Sequence, residues 1–438
     1  MNEQSEKKMK LTKLERFWIL YDVANSAFVL LVATLLPIYF NSLAEAEGMA
    51  PSDYLAWWGY GASAATLLVA FLGPVLGTIA DTKGLKKPLF LIMIVIGAVG
   101  CAALGFFSHW VTFLIVYVVA KAAYSGSLVL YDAMLTDVTT PERMDHVSSQ
   151  GYGWGYIGSC IPFLIGLGLV LGADGITMGT AMVITFLLIA VWWIALSLPL
   201  LRRYRQIYYV ERPKHVIRSS FSRIGSTLRQ IRKQKHIFLF LLAFFFYIDG
   251  VYTIIDMAMA YGDALGFDST QLLLALLATQ VVAFPSSVIF GRLTKKYSTR
   301  TLITVCIIAY AGIAVFAFFL SQALHFWILA ILVGMFQGGI QALSRSYFAK
   351  IIPAENAGEY FGLFDICGKG ASFLGTTLVG IVSQVTDSMN MGVSVLVVVF
   401  LVGLVIFRLA PVPNETAKLN KRESPDNQMA VGAFFFRL

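Results

Sequence analysis

Eight ionisable side chains lie inside apolar stretches of the sequence or one turn from the end of one. Five are acids and three are bases: Asp22, Lys121, Asp132, Asp249, Asp256, Arg345, Asp365 and Lys369. A charge at the centre of a membrane-spanning helix costs about 2.5–3.5 kcal/mol, so such residues occur where they pair or face water. Three bases leave two of these carboxylates without a partner, and an unpaired carboxylate at low dielectric is a candidate proton carrier.

The charges near the middle of their stretches predict a binding site. Asp249, Tyr252 and Asp256 are spaced three and four apart and therefore share one helix face. Lysines suit a carboxylate and aspartates suit an amine, so a zwitterion fits this set. We expect solute contact from these residues: Lys121, Tyr124, Asp249, Tyr252, Gln337, Gln341 and Lys369. Asp249 is the first choice for the protonating group and Asp256 the second. Alternatively, Lys121 and Asp249 merely neutralise each other.

The other four charges lie close to the ends of their stretches. Asp22, Asp132, Arg345 and Asp365 all fall in the third of the helix nearest the basic loops. Charges near helix ends are the cheapest to pair. The sequence therefore favours a gate or structural ion pairs at these positions over solute contact.

Twelve apolar stretches must position these residues. The chain has 438 residues, is 58% hydrophobic and has a mean hydropathy of +0.74, which excludes a soluble globule. A helix needs roughly 20 apolar residues to cross about 30 Å of hydrocarbon. The sequence predicts an all-α membrane protein with twelve transmembrane helices, at about 17–40, 55–80, 88–107, 110–135, 149–172, 177–201, 237–262, 270–294, 301–321, 324–349, 360–384 and 389–407.

The charges of the connecting loops alternate along the chain. One set carries lysines and arginines, and the other carries only acids and neutral residues, among them Glu45, Glu47, Asp53, Asp174, Asp263, Asp268 and Asp387. By the positive-inside rule both termini are cytoplasmic, in a multi-pass protein of the cytoplasmic membrane. The net charge of +8 follows from this bias and does not indicate nucleic-acid binding. The four cysteines are scattered singly, so we expect neither a disulfide framework nor a metal site. We also expect no cofactor, and we expect a monomer.

A long basic loop divides the spans into six and six. We predict a first six-helix bundle at 1–201, a linker at 202–236, a second bundle at 237–409 and a cytoplasmic tail at 410–438. A faint repeat between the halves is typical of carriers whose two halves rock about a central site. In the linker, apolar residues at helical spacing predict an amphipathic helix on the cytoplasmic leaflet: Ile217, Phe221, Ile224, Leu228 and Ile231. A structural role for this helix, as a passive strut, is favoured over a role as a calmodulin-like regulatory target.

The loop after span two contains a glycine-rich, charged motif. It runs from Gly77 to Pro88 and includes Asp81, Gly84 and Lys86. The glycines allow close helix packing, and Asp81 can accept hydrogen bonds from a neighbouring helix N-terminus. The lysines can reach acids on adjacent loops. This pattern resembles the signature loop of the major facilitator superfamily, although Thr82 and Leu85 replace the usual basic residues.

A narrower resemblance covers nearly the whole chain. Its motifs are WILYDVANSAF at 18–28, which includes Asn25, then Tyr131-Asp132 with 135–150, GGIQALSRS at 338–346, and 361–372. Together these are similar to the vacuole-effluxer-like branch of the superfamily, which includes the autophagy-related amino-acid exporter of fungal vacuoles. The resemblance implies a proton-linked carrier of amino acids or peptides.

No catalytic motif competes with this reading. The sequence contains neither HExxH nor a Walker loop, so a zinc protease and an ATP-driven pump are disfavoured, and we expect no enzyme. Two alternatives stay open: a membrane-embedded enzyme, and a sensor that keeps carrier architecture but moves no solute.

Overall fold

The computed structural model describes residues 10–172, 175–213, 216–264 and 266–412. The basic residues before Lys10 and nearly all of the predicted tail at 410–438 lie outside these ranges. The described part is almost entirely helical. Its α-helices are α1 Lys13–Ala33, α2 Leu35–Ala46, α3 Pro51–Ala80, α4 Lys86–Ala103, α5 Trp110–Ala133, α6 Leu135–Val138, α7 Met144–Gly172, α8 Met178–Arg203, α9 Val216–Lys233, α10 Lys235–Ala264, α11 Ser269–Leu293, α12 Thr299–Phe318, α13 Ala323–Ile351, α14 Ala357–Thr386 and α15 Met389–Leu409.

The predicted twelve spans are confirmed. Twelve helical segments are long and apolar enough to cross a membrane, which makes the chain a multi-pass integral membrane protein. The first span is broken at Thr34, whose hydroxyl donates to the Leu30 carbonyl and whose backbone leaves the helical region. Pro37 follows within the first turn of α2, where a proline is tolerated. The prolines of the later spans, by contrast, lie inside continuous helices.

The spans form two bundles of six. In the first bundle α1 packs against α7 and α8, and α5 packs against α3 and α4. In the second, α10 and α14 pack against α15, and α13 packs against α11 and α12. The seams between the bundles are made chiefly by α3 with α14 and by α7 with α11 and α13. Helix α5 also contacts α14 across the centre.

We call the end of the molecule that carries the loops with Lys83, Arg143 and Lys296 the basic end. At this end the bundles approach so closely that glycine is needed. A Cβ atom on Gly77 would lie 1.9 Å from the carbonyl oxygen of Gly358. Hydrogen bonds of Asp81, Asp145 and Arg345 also join the two bundles in the half of the molecule nearer the basic end. The structure is therefore closed at the basic end.

The linker contains the expected helix, α9, but that helix does not simply lie on a membrane surface. It packs against α3 and α10, and Ile231 of its apolar stripe is buried at 5% exposure. Leu228, by contrast, is half exposed. The side chains of Ile217 and Phe221 lie outside the described residues. Part of the stripe that was expected to face lipid therefore faces protein.

Candidate functional site

Two unpaired charges face each other across the space between the bundles. Lys121 lies at the middle of α5 in the first bundle, and Asp256 lies on α10 in the second. Each is within electrostatic range of the other. Within the described ranges, neither has an ion-pair or hydrogen-bond partner, and Asp256 is solvent-exposed. Since exposed charges are not stable against lipid, we expect this face of the two helices to border water.

An ion pair on α14 lies beside these charges. Lys369 Nζ lies 2.6 Å from Asp365 Oδ1, one helical turn away, and both side chains are partly exposed. Both charges act on Lys121 electrostatically. Tyr252 lies among the same groups, within range of Asp365 and Asp256. The structure thus brings together one bundle's lysine and four polar groups of the other bundle.

Tyr124 continues the site on the first bundle. Its ring lies 5.5 Å from the Lys121 ammonium, and its hydroxyl donates to Asn25 Oδ1 at 3.5 Å. Asn25 in turn donates to the Tyr21 carbonyl at 2.8 Å. Asn25, expected as part of a gate motif, therefore supports Tyr124.

The two glutamines of α13 play different structural parts. Gln341 Oε1 accepts from the hydroxyl of Tyr156 on α7 at 2.5 Å, which links the bundles at mid-depth. Gln337 is buried, and its Oε1 has no partner in the described part of the chain. It lines an apolar cleft between α10, α11 and α13. An unsatisfied buried acceptor next to the cavity is available to a ligand.

Asp249 stands apart from the charge cluster. It is fully buried inside the second bundle, where Oδ1 accepts from the backbone N–H of Gly375 at 2.8 Å. A Cβ on residue 375 would lie 2.8 Å from that carboxylate oxygen, so glycine makes the approach possible. The Thr253 hydroxyl is the neighbouring side chain that acts on this carboxylate. The structure does not pair Asp249 with Lys121, contrary to the alternative of mutual neutralisation.

Arg345 of α13 reaches into the first bundle. Its guanidinium lies 3.1 Å from Asp22 Oδ2 and 3.1 Å from Asp132 Oδ1, and it also donates to Ser148. Three aromatic rings surround it, at 4.7 Å for Trp18, 5.5 Å for Tyr131 and 4.2 Å for Tyr152. Such contacts add cation–π attraction to the charge-assisted hydrogen bonds. Three of the four charges assigned to helix ends therefore form one buried cluster between the bundles.

The glycine-rich loop behaves as its sequence predicts. Asp81 accepts from the backbone N–H groups of Gly358 and Glu359 at 2.8 and 2.9 Å, at the N-terminus of α14. Gly84 has φ +77°, a left-handed conformation that favours glycine. Burial raises the pKa of Asp81 to about 7, although Lys86 and these two donors act in the opposite direction.

Lys86 connects this loop to the rest of the first bundle. Its ammonium is fully buried, 3.2 Å from Asp137 Oδ2 and 3.9 Å from Asp81 Oδ1. Asp137 also accepts from the Tyr204 hydroxyl at 2.5 Å and from the backbone N–H groups of 207 and 208. Sequence reasoning missed Asp137, although it lies on the same short stretch as Asp132.

A second missed link joins α7 and α13. Asp145 accepts from Lys350 Nζ at 2.5 Å, from the Ser346 hydroxyl at 2.6 Å and from the Thr299 hydroxyl at 2.7 Å. Its position in the first turn of α7 suits a carboxylate. The predicted fifth span begins at 149, so Asp145 fell in the preceding loop and was not counted among the charges of the spans.

Comparison with known proteins agrees with this geometry. The family described as vacuole effluxer Atg22 like matches residues 12–420. An uncharacterized MFS-type transporter of Bacillus subtilis, YxiO, is 43% identical over 415 residues, which are 93% of this chain and 96% of that protein. Autophagy-related protein 22-1 of Aspergillus fumigatus is 26% identical over 57% of this chain and 46% of its own length. The chain thus spans about half the length of that fungal relative.

Solved structures agree on the fold. The fucose:proton symporter of Escherichia coli, a major facilitator superfamily transporter, superimposes with a TM-score of 0.70 at 16% identity, over 92% of this chain and 98% of that chain. Identity that low shows the fold alone. The chain therefore belongs to the vacuole effluxer Atg22-like family of transporters, and its fold is that of the major facilitator superfamily.

Proposed function

We propose that this protein is a secondary active carrier that moves a small zwitterionic solute, an amino acid or a short peptide, by proton-coupled alternating access. It acts as a monomer in the cytoplasmic membrane, with both termini in the cytoplasm. The basic end is then the cytoplasmic end, as the positive-inside rule requires. In this proposal, the closed basic end faces the cytoplasm.

The proposal is carried by two opposite charges on opposite bundles, Lys121 and Asp256, neither of which has an ion-pair partner in the described ranges. A zwitterion placed between them satisfies both, with its carboxylate at Lys121 and its ammonium at Asp256. Because each bundle supplies one charge, the bound solute draws the bundles together on the open side. Differential binding of this kind is what shifts a conformational equilibrium.

The contacts at the basic end must break when the carrier opens toward the cytoplasm. Opening toward the cytoplasm requires Arg345 to leave the carboxylates of α1 and α5, and Asp81 to leave the N-terminus of α14. These charges are buried, so separating them is costly unless water replaces the lost partners. They form the gate of the proposed carrier, with Asp22, Asp132 and Arg345 at its centre.

Asp249 is the proposed proton site. A fully buried carboxylate without a cationic partner is costly, and protonation removes its charge. The neighbouring Thr253 hydroxyl can donate to the ionised carboxylate or accept from the protonated one, so it accommodates both states. In this scheme Asp249 binds the proton and Asp256 binds the solute ammonium, so the two acids on α10 have different roles.

Transport in proteoliposomes tests the proposal. Purified protein is reconstituted, a thermal-shift screen of amino acids and dipeptides selects the solute, and accumulation is measured under an imposed proton gradient. The Asp249→Asn variant should lose gradient-driven accumulation while it retains solute exchange, since exchange needs no net proton movement. The matched control is Asp387→Asn, an exposed position with φ 51°, where asparagine is well tolerated.

Two results would contradict the proposal. Undiminished accumulation by Asp249→Asn would remove the proton role of that residue. A solute that binds the wild-type protein but is neither accumulated nor exchanged would favour a sensor over a carrier.

A further inference from the structure

The linker helix α9 places an arginine in the seam between the two bundles. Arg223 Nη2 lies 3.1 Å from Glu359 Oε2 on α14 of the second bundle, and its Nη1 lies 3.4 Å from the Thr78 carbonyl oxygen on α3 of the first. Asp81 Oδ2 is 4.0 Å away. One guanidinium from a segment that belongs to neither bundle therefore touches both.

Both partners of Arg223 carry negative charge, partial in one case and full in the other. Thr78 lies in the last turn of α3, where backbone carbonyls lack helical partners and the helix dipole is negative. The Glu359 side chain is 1% exposed, and its other oxygen, Oε1, has no partner in the described ranges. Without Arg223, the nearest described donor to this carboxylate is the Asn356 amide at 3.5 Å. A buried carboxylate left in that state is unfavourable.

Packing of α9 against α3 and α10 fixes the position of Arg223. Thr227 and Ile231, one and two turns further on, are buried at 4% and 5% exposure, and the helix packs on α3 and α10. Arg229 and Arg232 point to solvent on the other side. The helix is thus docked on the seam by its inner face, and Arg223 is an element of that docking.

We propose that α9 acts as a clasp, in which Arg223 holds the basic ends of α3 and α14 together and must release one of them each time the basic end opens. Arg223 is then a positioning residue that sets the balance between the two states of the carrier. The inference rests on the proposed alternating access. It extends beyond the glycine-rich loop, because the contact comes from the linker.

Distance measurement between spin labels tests the clasp without any solute. Labels are attached at Thr140→Cys and Lys296→Cys, which are exposed at the basic end of the first and second bundle, in a background with the partly exposed Cys367 replaced by alanine. Arg223→Ala should shift the distances toward longer values, with at least a threefold gain in the open population. Arg229→Ala removes the same charge from the exposed side of the same helix and should change nothing.

A second variant separates the clasp from general destabilisation. Glu359→Gln removes the carboxylate that Arg223 contacts, and it should open the basic end to a similar extent. The double variant should open no further than Arg223→Ala alone, because Glu359→Gln removes a contact that Arg223→Ala has already removed. Unchanged distances in Arg223→Ala, or effects that simply add in the double variant, would overturn the clasp. Since no transport is measured, these outcomes are independent of the solute and of proton coupling.

Discussion

At the scale of single residues, the molecule separates charges that are paired from charges that are not. Arg345 satisfies two carboxylates, and Lys369 satisfies a third. This leaves Asp249 and Asp256 without a cation in the described ranges. Lys121 is likewise left without an ion-pair partner in these ranges, and the two remaining acids both lie on one helix, α10. One of them is sealed in the second bundle and the other faces the cavity.

The cluster around Arg345 predicts a large effect on stability. Arg345→Ala leaves Asp22 and Asp132 buried and unpaired, and we expect it to lower the free energy of unfolding by about 3–5 kcal/mol. Arg345→Lys should recover only part of this loss, since an ammonium cannot reproduce the two-sided contacts of a guanidinium. Thermal unfolding of the detergent-solubilised protein measures the effect. The exposed Arg292→Ala is the matched control, and an equal loss in both alanine variants would contradict the structural role of Arg345.

Sequence alone identified which residues carry charge inside the spans, but not which of them meet. Helical spacing places Asp249 and Asp256 on one face of α10, yet the two side chains have different neighbours. Gly375 allows α14 to approach Asp249 closely, and nothing in the sequence around Asp249 indicates that contact. Likewise, Arg223 was visible only as one of many basic residues in the linker. Its role depends on where the linker helix docks on two other helices.

At the scale of elements, the sequence was more informative. Apolar length and loop charge were sufficient to define all twelve spans within a few residues, because the bilayer fixes the length of a helix. The glycine-rich loop also behaved as expected, since Asp81 accepts hydrogen bonds at a helix N-terminus. The break at Thr34 was missed, because continuous hydrophobicity does not reveal where backbone hydrogen bonds change partner.

The contact between the glycine-rich loop and α14 predicts that the population of the closed form depends on pH. The pKa of Asp81 is about 7 in the closed structure, against 3.8 for an unperturbed aspartate, because burial outweighs its donors. Opening exposes the group and restores its ordinary pKa, so the closed form binds a proton that the open form releases. The population of the closed form should therefore fall as pH rises from about 4 to about 7, and it should stay constant above about 7.

Spin-label distances across the basic end, recorded at several pH values, measure this dependence. Other ionisable groups face Asp81, namely Lys86, Arg223 and Glu359, with Asp137 and Tyr204 behind Lys86. The Asp81→Asn variant isolates the contribution of Asp81 and should flatten the slope in that range. A slope that survives the substitution would assign the effect to one of these neighbours.

At the scale of the whole molecule, two bundles meet firmly at the basic end, and we propose that they border a charged, hydrated cavity toward the other end. Contacts from α3, α7, α13 and the linker helix all close the basic end. The charges in the middle remain accessible, which is the arrangement that a carrier needs to receive a solute from one side. The family and the fold agree with this shape. The central claim is that the charged faces of α5 and α10 border water.

Chemical labelling of Asp256→Cys, in the Cys367→Ala background, tests that claim most directly. A membrane-impermeant thiol reagent should modify residue 256 from the side opposite the basic end. Val191→Cys, on the lipid-facing side of α8 at 64% exposure, is the control and should react only with a membrane-permeant reagent. If residue 256 behaves like residue 191 and resists the impermeant reagent from both sides, the charges do not border a hydrated pathway and the carrier mechanism is contradicted.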